Sequence, residues 1–429
     1  MKKILFLIIT MAFIGACKSN PNKNINSVGV IAPDKDNAGL KLPDGFSALI
    51  YADKIGHARH MAINTNGDVY VSLSDVKNGG GIVCLRDENK DGRADVIKYH
   101  GIYDGTGIKI HNGYVYFGAD TIVVRYKLTA GELVPSATAE VIAKGFTPQN
   151  QHATKPFTFD KDGNIYVTVG APSNACQVTD RTKGSPGIDP CPILEQHGGI
   201  WRFKADVLNQ DQVKDGYRYA TGIRNAVAIS WNDVENSLFA LQHGRDQLGS
   251  FYPEMYTDEQ SAQLPAEEFL SVKDKSDFGW PYCYYDPMLK LKVLAPEYGG
   301  DGKKPGRCSN AENPIVAFPA HTAPNDLLFY TGSMFPEKYK NGAFIAFHGS
   351  WNRAPLPQEG YYVAFVPFKG GVPSGDWEIF ANGFAGIGVI KSPGDAKHRP
   401  CGLAQAPDGS LFVSDDSNGR IYRIAYNGQ

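Results

Sequence analysis

His152 lies in the stretch Gln151-His152-Ala153-Thr154-Lys155, directly ahead of an apolar run from Pro156 to Phe159 that reads as a strand. A neutral imidazole in such a place can accept a proton near neutral pH, which makes His152 the candidate general base. Three arginines occupy comparable settings elsewhere: Arg224 in Gly222-Ile223-Arg224-Asn225, Arg353 at the end of His348-Gly349-Ser350-Trp351-Asn352-Arg353, and Arg399 just before Pro400. Guanidinium groups pair bidentately with carboxylates, so arginines gathered from separate segments would form a pocket for a polyanionic ligand. A different chemistry is written in Asp87-Glu88-Asn89-Lys90-Asp91-Gly92-Arg93-Ala94-Asp95. Alternation turns Asp87, Asn89 and Asp91 toward one centre that the Arg93 carbonyl and Asp95 complete, a candidate structural calcium loop. The chain has no Walker loop, no His-Glu-x-x-His, no Gly-x-Ser-x-Gly elbow and no dinucleotide glycine fingerprint between a strand and a helix.

The elements that must position these residues announce themselves by repetition. A turn followed by an alternating apolar strand recurs at Asn66-Gly67 before Val69-Tyr70-Val71, Asn112-Gly113 before Tyr114-Val115-Tyr116, and Asp162-Gly163 before Ile165-Tyr166-Val167. It returns at Asn232 to Asn236 before Leu238-Phe239-Ala240, Asn341-Gly342 before Phe344-Ile345-Ala346, and Asp408-Gly409 before Leu411-Phe412-Val413. Asn-Gly and Asp-Gly supply the positive φ angles of hairpin turns, and each strand alternates as a half-buried strand does. About six such copies predict an all-β chain, a six-bladed β-propeller with long loops on the active-site face. A β-sandwich is the alternative, and it seldom needs so many copies of one phrase in a single long domain. Pairing of a strand near Phe46 to Tyr51 with strands near Leu411 to Ile424 would close the ring and protect the sheet edges. The two widest gaps between copies, about 173–199 and 245–329, must hold long loops, and long loops in compact domains are usually functional.

The chain opens Met1-Lys2-Lys3, continues with a short apolar run, and reaches Ile14-Gly15-Ala16-Cys17. The run is far below the roughly 20 residues a bilayer span requires, and the pattern is that of a signal peptide ending in a bacterial lipobox. Residues 1–16 are therefore expected to be a lipoprotein signal peptide, 17–42 a flexible tether lipidated at Cys17, and 43–429 the propeller domain. Such a protein is exported and anchored by lipid to the cell envelope, at the periplasm or outer membrane. Beyond Cys17 six cysteines remain, and an even number in an oxidising compartment implies disulfides. Cys176 with Cys191 and Cys283 with Cys308 each close a short loop, leaving Cys84 and Cys401 by elimination. A formal net charge of −2, from 43 basic and 45 acidic side chains, gives no global field for nucleic acid or anionic membrane, so small molecules are the expected partners.

Leu42-Pro43-Asp44-Gly45-Phe46, Phe278-Gly279-Trp280-Pro281-Tyr282-Cys283, His348 to Arg353, and Arg399-Pro400 with Pro407-Asp408-Gly409 to Ser414-Asp415-Asp416 together resemble the glucose/sorbosone dehydrogenase family, in particular its sorbosone dehydrogenase branch. The resemblance runs from about Leu42 to Tyr426. It implies a propeller that holds pyrroloquinoline quinone (PQQ) and Ca2+ over its channel and oxidises an aldose sugar or an aldehyde such as sorbosone, passing hydride to the quinone and electrons to an external acceptor. His152 then resembles the general base, and Arg224 with Asn225 the pair beside the quinone oxygen. The main-chain carbonyls of Gly244 and Arg245 resemble the holders of the cofactor calcium. Arg353 and Arg399 resemble the cations on the cofactor's carboxylates, with His348 lining the same pocket. Lys155 stands where the resemblance leads one to expect an arginine, so it would offer the cofactor a point charge in place of a planar fork. Asn325-Asp326 likewise stands where a small or apolar pair is expected. A calcium-dependent hydrolase and a non-catalytic carbohydrate-binding or scaffold propeller are the competing functions.

Overall fold

The computed structural model describes residues 32–428. The expected signal peptide and Cys17 lie outside the described residues. The rest is a six-bladed β-propeller of four-stranded antiparallel blades, the second and third of which each gain a short parallel fifth strand, Gln210–Asp211 and Ser276–Asp277. The first blade comprises Ala58–Ile63, Val69–Lys77, Gly80–Arg86 and Val96–His100, and the second Gly105–His111, Tyr114–Ala119, Val123–Lys127 and Glu140–Lys144. Phe157–Phe159, Asn164–Val169, Gly199–Lys204 and Tyr217–Thr221 build the third; Ala226–Asn232, Ser237–Gln242, Glu267–Val272 and Val316–Phe318 the fourth. The fifth comprises Pro324–Phe329, Ala343–Phe347, Tyr362–Val366 and Glu378–Ala381. The sixth takes Pro400–Gln405, Leu411–Asp415 and Ile421–Tyr426 from the C-terminal end and Phe46–Ala52 from the N-terminal end, with Phe46 opposite Tyr426.

Every copy of the repeated phrase is the hairpin between the first and second strands of a blade. The residues that make the turn possible have the expected left-handed backbone, among them Gly67 (φ +93°), Asn112 (φ +47°), Asn341 (φ +58°) and Gly409 (φ +91°). First strands of successive blades touch in a closed ring around the channel. Five of those six inner strands carry a register shift at their first residues, beside Ala58, Gly105, Ala226, Pro324 and Pro400. Such bulges bend the strand and re-aim side chains, and here they all fall at the same end of the channel. Between blades the core is largely aromatic. Phe46, for instance, packs edge-on against Phe335 and Phe380 at 4.8 and 5.0 Å, tying the closing strand to the fifth blade.

Two expectations change. Residues from Asp34 onward, read as the end of a tether, are docked on the body: Asp34 pairs with Arg93 at 2.5 Å and accepts the Ile50 amide at 2.7 Å, and Leu40 is buried with the aromatics of the fifth and sixth blades. The apolar Leu40 and the carboxylate of Asp34 both find partners there, which a free linker would not offer. Cys176–Cys191 and Cys283–Cys308 are disulfides, whereas Cys84 and Cys401 are free and buried. Cys84 sits in the third strand of the first blade and Cys401 in the innermost strand of the sixth, so they belong to different core layers. In the loop between the third and fourth strands of the first blade, the carboxylates serve their own backbone. Asp87 accepts the amides of Asp91 and Gly92 at 3.2 and 2.8 Å, and Asp95 those of Glu88 and Asn89 at 2.9 and 3.1 Å. Among the described residues no group of three or more His, Cys, Asp or Glu is disposed to hold a metal ion.

Candidate active site

The residues that precede the inner strands of blades three, four and five meet at one cavity of about 290 Å³. His152, Arg224 and Ala323 come from those three positions; Gln151, Arg181, His243, Gly244, Asp246, Glu267, His321, Trp351 and Asn352 complete the lining. The long loops do what their length promised. Arg181 arrives on the loop clamped by Cys176–Cys191, and Gly244 and Asp246 stand where the second long insertion begins. Strain collects here as well: His152, Arg181, His321 and Ala323 all have φ between +52° and +65° without being glycine.

His152 places Nδ1 2.6 Å from the Ala171 carbonyl. A carbonyl only accepts, so Nδ1 carries the proton and Nε2 is left bare, the tautomer a general base needs. Burial first, and Arg224 second, pull the imidazole pKa down to about 3, so the ring is neutral at any ordinary pH. The peptide of Ala171 also donates its N–H to the Arg224 carbonyl at 2.8 Å, which locks base and arginine into one frame. Gly170 makes this approach possible, because a Cβ there would lie 2.6 Å from the His152 Cβ and 3.0 Å from the Asn225 amide oxygen.

Arg224 is buried and spends its two terminal nitrogens on the Gly244 carbonyl at 2.9 Å and the Asp246 carboxylate at 2.8 Å. Asp246 is the hub of the cavity. The same oxygen accepts Arg181 at 3.0 Å, the other accepts the Asn352 amide at 3.0 Å, and Asn174 grips its main chain at both N–H and C=O. Burial opposes its ionisation, but Arg224 and Arg181 hold the carboxyl well below the usual carboxylate range. Glu267 goes the other way. Burial raises it to about 8, even though its oxygens accept the Gly244 and Ala323 amides at 2.8 and 3.0 Å. Near pH 7 the lining therefore holds two guanidiniums against one ionised carboxylate.

Several expected site residues stand apart from this cavity. Arg353 donates to the carbonyls of Ala262 and Ala320, from other segments, at 2.9 and 3.0 Å and pairs with Glu359 of its own loop at 2.8 Å. Its fork is turned to protein oxygens, and it is not among the residues lining the cavity. Arg399 donates to the carbonyls of His348 and Gly349 at 3.1 and 2.7 Å. His348 gives its Nε2–H to Asp416 at 2.6 Å, and Asp416 in turn pairs with Arg59 at 2.7 Å, a second polar unit near the start of blades one and six. Lys155 is wholly buried, gives its ammonium to the Ala153 carbonyl and is not among the residues lining the cavity. Arg245 turns its side chain into a buried pair with Glu297 at 2.6 Å, leaving its carbonyl as the only group it could offer a cation. Asn225 is buried beside Gly170 and is tied through its carbonyl to the His243 amide at 2.8 Å. Asp246, Glu267 and Arg181 were missed by sequence reasoning; the one available signal was Arg245-Asp246 directly after the Gln242-His243-Gly244 strand end.

The comparisons with known proteins bear on this geometry. The holo PQQ domain of pyranose dehydrogenase from Coprinopsis cinerea superposes with a TM-score of 0.71 at 20% identity, covering 90% of this chain and 97% of that one. A carbohydrate-active enzyme of family AA12 from Trichoderma reesei gives 0.73 at 18%, covering 90% and 98%. These likenesses are of fold. In sequence, the PQQ-dependent pyranose dehydrogenase of Coprinopsis cinerea is 28% identical over 281 residues, 56% of this chain and 36% of that protein. The chain spans about half or less of the curated relatives it matches, 48% of one and 36% of another. A family model described as TrAA12-like matches residues 40–427, from the docked N-terminal segment through the last strand of the sixth blade, and the chain belongs to the TrAA12-like family.

Proposed function

We propose that this protein oxidises a sugar with bound pyrroloquinoline quinone. The observation that carries the reading is His152, its Nδ1 committed to Ala171 and its Nε2 bare, in a cavity where Arg224 and Asn352 each keep a buried polar atom, Nε and Oδ1, without a partner. Unpaired buried polar atoms cost free energy, and their presence in a lining is the mark of a ligand yet to be met. A planar polycarboxylate quinone offers acceptors for Arg224 Nε and for the surplus positive charge of Arg181 and Arg224. The name of the Coprinopsis relative supports the same cofactor and a pyranose substrate.

When bound, the quinone supplies the hydride acceptor. The chain's own part is placement and proton handling. His152 Nε2 takes the proton of the substrate hydroxyl, Ala171 holds the ring, and Asp246 holds Arg224 at the cavity wall. A calcium ion would be held by the Gly244 and Arg245 carbonyls, and Arg224 would then give up its bond to Gly244. Sorbosone or another aldehyde, a cytochrome or quinone as external acceptor, and a lipid anchor at Cys17 complete the proposal. Apo-protein loaded with PQQ and calcium should reduce an artificial dye when given aldoses or sorbosone. No dye reduction with any of these, despite bound quinone, would sink the reading, and a mature N-terminus that is not a modified Cys17 would sink the anchor.

A further inference from the structure

His152 has φ +53°, a conformation that a residue with a side chain keeps only when its surroundings impose it. Two side chains impose it. Gln149 spreads its Nε2 over the carbonyls of Gln151, His152 and Gly170 at 2.7, 2.8 and 3.0 Å. Lys155, with 0% exposure, gives its ammonium to the next carbonyl, that of Ala153. Three consecutive carbonyls, 151 to 153, are thus capped by side chains. Both caps are costly to keep. The Gln149 Oε1 is buried without a partner, and the wholly buried Lys155 meets a main-chain carbonyl, that of Ala153, with its ammonium. Burial lowers its pKa to about 8, with Asp120 opposing. A charge kept in the interior against its solvation preference, with its hydrogen bond spent beside the base, points to a task at the base.

We propose that Gln149 and Lys155 are positioning residues that fix the 151–153 turn so that His152 presents its bare Nε2 to the cavity. Lys155 acts through this turn and not on the cofactor. The inference rests on His152 being the base of the proposed oxidation.

Lys155→Met and Gln149→Ala test it. Methionine nearly matches the volume of lysine without the buried charge, so Lys155→Met should melt at or above the wild-type temperature. Its kcat should nevertheless fall about tenfold to a hundredfold, with KM for sugar and quinone retention within about threefold of wild type. In apo-protein, nitrogen NMR of the His152 ring should show the Nδ1-protonated form alone in wild type and mixed tautomers in both variants. Wild-type kcat together with an unchanged ring would overturn the proposal. So would loss of quinone retention with full turnover at saturating quinone, which would put Lys155 on the cofactor. Should Lys155→Met fail to fold, the partly exposed Gln149→Ala carries the same readouts. If wild type oxidises no sugar, the proposed function falls while the NMR arm still decides whether the two residues hold the ring.

Discussion

Replacing Asp246 with asparagine keeps the shape of the hub and removes its charge, and the structure sets the expected loss. The Arg224 contact, at 2.8 Å with side-chain exposures of 4% and 13%, is a buried ion pair. Deleting one partner of such a pair leaves an uncompensated charge and costs about 3–5 kcal/mol. The Arg181 contact, at 3.0 Å with 28% exposure on the arginine, is screened by solvent and adds about 0–1 kcal/mol. Asn352 can still donate to the new amide oxygen, so its bond is retained. Near pH 7 the variant should therefore be less stable by about 3–6 kcal/mol, measured by urea unfolding. The pH dependence follows from the direction of the shift. Asp246 is held well below its ordinary pKa of 3.8, so its contribution is fully present above that value and is lost as pH falls through the depressed folded value. At about pH 3 the gap should have narrowed by roughly 1 kcal/mol. Equal stabilities near pH 7, or a gap as wide at the lower pH as at the higher, would refute the reasoning.

Three further outcomes are expected. His152→Ala should retain quinone but turn over about a hundredfold to ten-thousandfold more slowly, the usual worth of a placed general base, as read by quinone titration against dye reduction. Affinity for the polycarboxylate quinone should weaken as pH rises through about 8, because Glu267 is neutral below that value and adds a negative charge to the cavity above it. Glu267→Gln should flatten that dependence in a calorimetric titration. Cys84 and Cys401 should resist alkylation in the native protein and react once denaturant is added, since both thiols are buried and burial pushes each up to about 12.

The propeller was legible because its signal is local. An Asn-Gly or Asp-Gly step supplies a left-handed turn, the following strand alternates, and every one of the repeated phrases proved to be the same hairpin of its blade. Ring closure by Phe46–Ala52 was legible for a related reason, since an unpaired edge on each side of the chain calls for a partner. His152 was singled out by its place before an inner strand, and the fold sets it in the lining of the cavity. The arginines are told apart only by the fold. Arg224 and Arg353 look alike in sequence, each after a short polar phrase near a strand. What separates them is which oxygens their forks meet, and for Arg353 those belong to Ala262 and Ala320, from remote segments, and to Glu359 in its own loop.

The same distinction explains why the most connected residue of the cavity escaped notice. Asp246 matters because Arg181, Arg224 and Asn352 converge on it from the third, fourth and fifth blades, and Asn174 ties its main chain to the clamped loop. None of those partners is near it in sequence, so no spacing rule could mark it. Its charge state follows from the same convergence, as does the opposite state of Glu267, a carboxylate buried a short distance along the chain with amides but no facing arginine bond. Two acids on one lining are thus pushed apart in pKa by partners that only the fold supplies. That separation leaves the surplus positive charge on which the proposed binding of a polycarboxylate quinone depends.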